Sequence, residues 1–364
     1  MRTLAIVNQK GGCGKTTTAV NLAGALAADG HRVLVVDMDP QAHATLALGF
    51  DPEALDENLY EVLAEPVGSP AAGRLSDVLQ RWSEGLHLAP SGIVLSALEQ
   101  KLTAERAERR TERLEAALAT VHQDYDYAVI DCPPNVGVLT FNALRAAQEV
   151  IVPLEPSDFA IHGVQKLLET VALLSDRIGS DLSVRILPTL YDGRTRYARD
   201  TLAEIRELFG NLCFDTVIRS NVKLREAARR GQPICSFARK ANGTLDYAAL
   251  ALELSLAPPA ELAADATANA ALVGGDREIA MRYRDPGATD VRIAGDFNGW
   301  VPDKDVQSLV QAEGSERVWT KLLNLPPGTY HYRYVVDGEW REDPDNPNAV
   351  PGPVGGRNSV LVVR

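Results

Sequence analysis

Cysteine is scarce in this chain of 364 residues: four are present, Cys13, Cys132, Cys213 and Cys235, with no CxxC spacing among them. That argues against a disulfide framework and for reduced thiols in a cytoplasmic protein. No run approaches eighteen apolar residues, so no membrane-spanning helix is expected. The opening MRTLAIVNQK lacks the long apolar core of a secretory signal and reads as a first strand. Positive charge is also in short supply, 37 Lys and Arg against 49 Asp and Glu for a net charge of −12, which argues against a protein that coats nucleic acid over its whole surface. The exception is local. From Arg219 to Lys240 seven basic residues face one acid, Glu226, a stripe able to touch a phosphate backbone.

What the chain does have is alternation. TLAIVN (3–8), RVLVVDMD (32–39), YAVIDC (127–132), EVIVPLE (149–155) and SVRILPTL (183–190) are nearly continuous in Val, Ile and Leu, as strands covered on both faces are. Helical patterns separate them, at roughly 16–29, 95–120, 138–147, 161–178, 196–209 and 241–256. The acidic, poorly periodic region 51–90 supports only short helices. This predicts an α/β, mostly parallel, doubly wound domain over 1–257. An Ala/Pro/Gly-rich linker follows at 258–276. Over 277–364 the helical period vanishes: DVRIAGDF, RVWTKLLNL, GTYHYRYVVDG and NSVLVVR, divided by NGW, PPG and DPDNP, predict a small all-β, immunoglobulin-like sandwich.

The stretch NQKGGCGKTTTAVNLA (8–23) places a glycine-rich turn between a strand and a helix, where backbone N–H groups and the positive helix end converge on phosphate. Lys15 would reach the β/γ-phosphates of ATP and Thr16 would bind Mg²⁺. The usual G-x-x-x-x-G-K-[ST] spacing is not met, because Gln9 stands where its first glycine belongs; the run is K-G-G-x-G-K-T-T, Lys10 to Thr17.

That variant resembles the deviant P-loop of the ParA/MinD group of ATPases, and VVDMDPQAHAT (35–45), YDYAVIDCPPNVGVLTFNAL (125–144), TLYDGRTR (189–196) and SNVKLREAARRGQPI (220–234) resemble further segments of the same family in order. The resemblance implies a Mg²⁺-dependent ATPase, slow without a stimulating partner protein, that forms a homodimer on ATP. It implies that Gly11, Gly12, Cys13, Gly14, Lys15, Thr16, Thr17 and Asn221 hold the nucleotide. Lys10 would cross to the partner subunit's phosphate, Asp39 would orient the attacking water, and Asp37 and Asp131 would lie with Thr16 at the metal. Such proteins associate with the nucleoid by binding DNA without sequence preference. The matching positions are Arg194 and Lys223, extended by Arg225, Arg229 and Arg230, of which 225 and 229 are at i, i+4. Where the family often has Pro-Arg-Asn, this chain has Arg219-Ser220-Asn221. The final helix, GTLDYAALALELSL, carries no Lys or Arg and is a poor partner for anionic lipid, so no membrane association is expected.

Residues 288–364 resemble the glycogen-binding modules of the AMP-activated kinase β subunit and of branching enzymes through VRIAGDFNGW, LPPGTYHYRYVVDGEWREDPDNP and GGRNSVLVV. The resemblance implies Trp300 and Trp340 as platforms for an α-glucan such as glycogen, with Arg333 and Asn358 as hydrogen-bonding partners. The kinase-type modules carry lysine at Arg333 and leucine and threonine near Val354 and Gly356. Two rival readings stay open: an ATP-locked scaffold whose sandwich contacts protein, and a metal-cluster carrier of the nitrogenase iron-protein kind, for which Cys213 and Cys235 lie in the wrong context.

Overall fold

In the first unit the apolar runs form strands β1 (Arg2–Ile6), β2 (Val33–Asp37), β3 (Gln80–Arg81), β4 (Leu86–Ala89), β5 (Tyr127–Asp131), β6 (Glu149–Leu154) and β7 (Ser183–Pro188). They align in the order β3-β4-β2-β5-β1-β6-β7, parallel throughout except for β3 against β4. Alternate side chains serve opposite faces. Leu4 and Ile6 of β1, with Val33 and Val35 of β2, pack under helix α1 (Lys15–Ala28), on Leu22 and Leu26. Ala5, Leu34 and Val36 turn to the other face, against Leu98, Leu114 and Leu139. Strands covered on both sides need apolar residues at every position, which is why the runs are continuous. The fold is therefore α/β and mostly parallel, as the alternation predicts.

The chain is described here from a computed structural model, over residues 1–69, 73–104, 108–157, 164, 167–168, 170–171, 182–256, 277–285, 287–298, 300–304, 306–313, 316–325, 328–346, 348–351 and 357–363. It divides into two compact units, Met1–Thr267 and Ala268–Arg364. The expected linker at 258–276, most of the helix expected at 161–178, and the positions Val354 and Gly356 lie outside the described residues.

Two local differences have physical causes. The helix expected over 95–120 is two, Leu95–Ala104 and Arg113–Ala119, with a 3-10 turn at Glu108–Thr111. Asn142 of a neighbouring helix provides for the second start: its Oδ1 accepts from the Arg113 and Leu114 N–H groups at 3.1 and 3.3 Å, and its Nδ2 donates to the Arg110 carbonyl. A side chain that satisfies the free N–H groups of a helix start makes a break affordable. Within 51–90, β3 and β4 accompany the short helices Leu59–Leu63 and Leu75–Val78; β4 is a fully paired neighbour of β2.

The second unit is all antiparallel: β8 (Arg277–Arg284), β9 (Val291–Gly295), β10 (Gln307–Glu313), β11 (Glu316–Leu325), β12 (Gly328–Val336), β13 (Glu339–Arg341), β14 (Ala349–Pro351) and β15 (Arg357–Val363). One sheet runs β10-β11-β8; the other runs β13-β12-β15-β14, with β9 also on β12. Tyr332, Tyr334 and Val336 alternate inward along β12 to meet Ile293 and Leu323. This is a small sandwich.

Candidate functional site

The glycine run does what glycine alone does readily. Gly12 and Gly14 sit at φ 76° and 94°, and Gly14 caps α1 in the left-handed conformation without any side-chain bond, leaving the first N–H groups of α1 aimed into the loop. A side chain at either glycine would be strained whatever the space around it. The loop is tied from behind: the buried Thr189, at the end of β7, donates through Oγ1 to the Cys13 carbonyl at 2.7 Å. Lys15 is buried and its Nζ donates to the Lys10 carbonyl at 3.2 Å, so the expected phosphate lysine lies along the concave side of the loop. Lys10 points elsewhere. Its Nζ pairs with Glu155 Oε2 at 2.7 Å, both side chains being 42% exposed.

Three carboxylates stand at the adjacent ends of β2 and β5, where Asp37 is in register with Asp131. Their surroundings differ. Asp131 is fully buried, and among the described residues neither of its oxygens has a hydrogen-bond partner. Burial drives its carboxyl well above the ordinary range, the Asp37 carboxylate adds to this, and the Thr16 hydroxyl and Lys15 oppose it. An orphaned buried carboxylate beside a threonine hydroxyl and a lysine fits a hydrated Mg²⁺.

Asp37 is equally buried but saturated: Oδ2 accepts from the Thr45 N–H and hydroxyl, both at 2.8 Å, and Oδ1 from the Asp39 N–H at 3.2 Å. Burial pushes it up to about 7 against those bonds. Asp39, 7% exposed, accepts from the Gln41 N–H on Oδ1. Of the nucleotide candidates, Asn221 uses its Oδ1 to cap the helix Val222–Arg229 by accepting from the Lys223 N–H. Among the described residues, no group of three or more His, Cys, Asp or Glu is set to hold a metal; Cys13 and Cys132 are buried and free, with burial raising both thiols.

The basic candidates share one region. Arg225, Arg229 and Arg230 are exposed on or just after the helix Val222–Arg229, whose other face buries Leu224 and Ala227. Lys223 pairs with Glu226 at 2.7 Å, and Arg194 pairs with Asp192 at 2.7 Å. A groove of about 840 Å³ beside this helix is lined by Lys223, Arg239, Lys240 and Asn221. Arg219, at the start of the stripe, is itself exposed and paired with the buried Asp246.

In the sandwich, Trp340 is 46% exposed and its ring lies 6.2 Å from that of Trp300. Trp300 adopts φ 61°, rare for a bulky residue, and its Nε1 donates to Asp296 Oδ1 at 3.1 Å. Trp340 pairs with Val335 across β13 and β12, so it shares the outward face with Arg333, two residues back. Asn358 is buried on β15, one residue beyond the Ser359–Tyr332 pair and on the opposite face from those two. The residues that motif reading missed are Asn8, Thr45, Ser91, Glu155, Thr189 and Asp296. Asn8, Thr45, Thr189 and Asp296 fall within NQKGGCGKTTTAVNLA, VVDMDPQAHAT, TLYDGRTR and VRIAGDFNGW, and Glu155 ends EVIVPLE; Ser91 lies in none of these segments.

A nucleotide-type loop at a helix start, facing an orphaned strand-end acid, defines a P-loop nucleotide-binding domain. A family model described as an AAA domain matches residues 1–184. The Sporulation initiation inhibitor protein Soj of Bacillus subtilis is 38% identical over 254 residues, covering 69% of this chain and 97% of that protein. The Chromosome partitioning protein ParA of Caulobacter vibrioides is 38% identical over 257 residues, covering 70% and 94%. The cobyrinic acid a,c-diamide synthase of Mycobacterium smegmatis, solved with ADP and magnesium, is 36% identical over 69% of this chain and 92% of that one, at TM-score 0.59. The chain belongs to the ParA/Soj family of partition ATPases. Its residues 278–364 match the model of the glycogen recognition site of AMP-activated protein kinase.

Proposed function

We propose that this protein is a cytoplasmic, nucleoid-associated partition ATPase that dimerises on ATP, binds DNA without sequence preference, and hydrolyses ATP to ADP and phosphate when a partner protein stimulates it. The observation that carries the reading is the left-handed glycine loop at the head of α1 beside the unpartnered Asp131. Lys15 and the N–H groups of residues 11–17 hold the phosphates; Thr16 and Asp131 hold Mg²⁺, which neutralises phosphate charge when bound. Asp37, with both oxygens in use, supports that site from behind, and Asp39 orients the attacking water. Lys10, displaced from its own loop, is the residue that reaches a second subunit's triphosphate. Lys223, Arg225, Arg229, Arg230 and, once released from Asp192, Arg194 contact DNA phosphates. The sandwich selects the cargo, an α-glucan stacked on Trp300 and Trp340.

Retention of the full chain on duplex DNA of arbitrary sequence, with ATP and with ADP over a salt series, tests this. Retention is expected with ATP only, and Lys223→Ala or Arg229→Ala should each lower the salt slope by about 1. Equal retention with both nucleotides would count against the switch. No phosphate release, with or without DNA, would leave only an ATP-locked scaffold.

A further inference from the structure

The backbone of Asp39 is gripped on both sides of its Cα. Its N–H donates to Asp37 Oδ1 at 3.2 Å, and its carbonyl accepts from the Ser91 hydroxyl at 2.6 Å. The two grips are joined. Thr45 donates its hydroxyl to Asp37 Oδ2 at 2.8 Å, and Thr45 Oγ1 in turn accepts the Ser91 N–H at 3.0 Å. Asp37, Thr45 and Ser91 are all fully buried, so each bond is made in a medium of low polarity and each partner lost leaves an unsatisfied group behind. The three come from separate places: the end of β2, the short helix His43–Ala47, and the loop after β4. Meanwhile Asp39 Oδ1 is occupied by the Gln41 N–H, and among the described residues no hydrogen bond reaches Oδ2. A carboxylate with a fixed backbone, one oxygen tethered and one open, is how a water is held on a line rather than merely nearby.

We propose that Thr45 and Ser91 are positioning residues for Asp39: their hydroxyls link Asp37 to the Asp39 carbonyl and set the direction of the open carboxylate oxygen. The proposal rests on the water-orienting role given to Asp39 above. A frame of this kind acts on turnover and leaves nucleotide affinity alone, because both hydroxyls are committed to Asp37 and to the Asp39 carbonyl.

The test measures single-turnover phosphate release from Mg·ATP, and separately the affinity for a fluorescent ATP analogue, on the full chain. Thr45→Val keeps the side-chain shape and removes the hydroxyl; turnover is expected to fall about tenfold or more with affinity within about twofold. Thr45→Ser, which restores the hydroxyl, should recover most of the turnover. Ser91→Ala removes the second grip and repeats the test should Thr45→Val fail to fold. Turnover like the parent's in Thr45→Val and Ser91→Ala, or loss of affinity in step with turnover, overturns the proposal. Asp39→Ala separates the two levels. If it binds the analogue and releases no phosphate, the role of Asp39 stands whatever the hydroxyl variants do; if it releases phosphate as the parent does, that role and the proposal fail together.

Discussion

Replacing Glu155 by glutamine should tighten the ATP-bound dimer. If Lys10 serves a second subunit as proposed, it does so only by leaving Glu155, to which its Nζ is paired at 2.7 Å. The pair is preset by one residue. Asn8 accepts the Lys10 N–H on Oδ1 at 2.9 Å and donates through Nδ2 to the Pro153 carbonyl at 2.7 Å, stitching the glycine loop to the strand end that carries Glu155. Both charged side chains are 42% exposed, so solvent screens the attraction and the pair is worth about 0.2 to 1 kcal/mol. A dimer releases two such pairs, about 0.4 to 2 kcal/mol, or about a 2- to 30-fold change in dimer dissociation constant. Glu155→Gln keeps the shape and removes the competing charge. Sedimentation equilibrium with a non-hydrolysable ATP analogue should therefore show a tighter dimer at low salt, with the difference shrinking near 1 M salt, where the screening length falls to about 3 Å. An unchanged or weaker dimer at low salt refutes the competition. Lys10→Ala run beside it must fail to dimerise; if it pairs as the parent does, the lysine has no role in the partner's site.

Two further outcomes are expected. The Trp300→Ala/Trp340→Ala double variant of the full chain should lose retention on glycogen, each truncation costing on the order of 1.5 kcal/mol or about tenfold, with ATP turnover unchanged; equal retention in a co-sedimentation assay ends the sugar reading. Asp126 is held down to about 2 by its hydrogen bonds from the Arg32 side chain and N–H. Its folded pKa lies below the unfolded one, so its contribution is present above about 4 and lost as the pH falls toward 2. Arg32→Met should move the acid-unfolding midpoint, followed by far-ultraviolet circular dichroism, to higher pH; an unmoved midpoint refutes this.

Much of the architecture was legible because it depends on local chemistry. A helix start that must present bare N–H groups to an anion needs left-handed backbone, and glycine announces it at Gly12 and Gly14. Strands buried on both faces announce themselves as unbroken apolar runs. β4 escaped because Leu86–Ala89 is four residues with a histidine in the middle, and His87 is accommodated by a hydrogen bond with Tyr125, 38 positions away. The break inside 95–120 depends on Asn142, which no reading of that segment contains. Trp300 and Trp340 stand out in the motif, yet the left-handed turn at Trp300 and its tether to Asp296 needed the fold.

The acids show most clearly where pattern ends and environment begins. By type and position Asp37, Asp39 and Asp131 are alike: aspartates at the ends of neighbouring strands. Packing makes them different. Thr45 and the Asp39 N–H saturate Asp37, the Gln41 N–H takes half of Asp39, and Asp131 has no hydrogen-bond partner among the described residues, with only the Thr16 hydroxyl and Lys15 near enough to favour its charge. Burying three carboxylates together beside one lysine, Lys15, is unfavourable, most of all at the fully buried Asp131. A divalent cation at Asp131 and Thr16 would relieve it, and that cation arrives with the triphosphate the glycine loop is shaped to hold. On the proposed reading, nucleotide and metal would then bind as a unit, with the relief felt at Asp131, while Asp37 keeps its bonds to Thr45 and the Asp39 N–H.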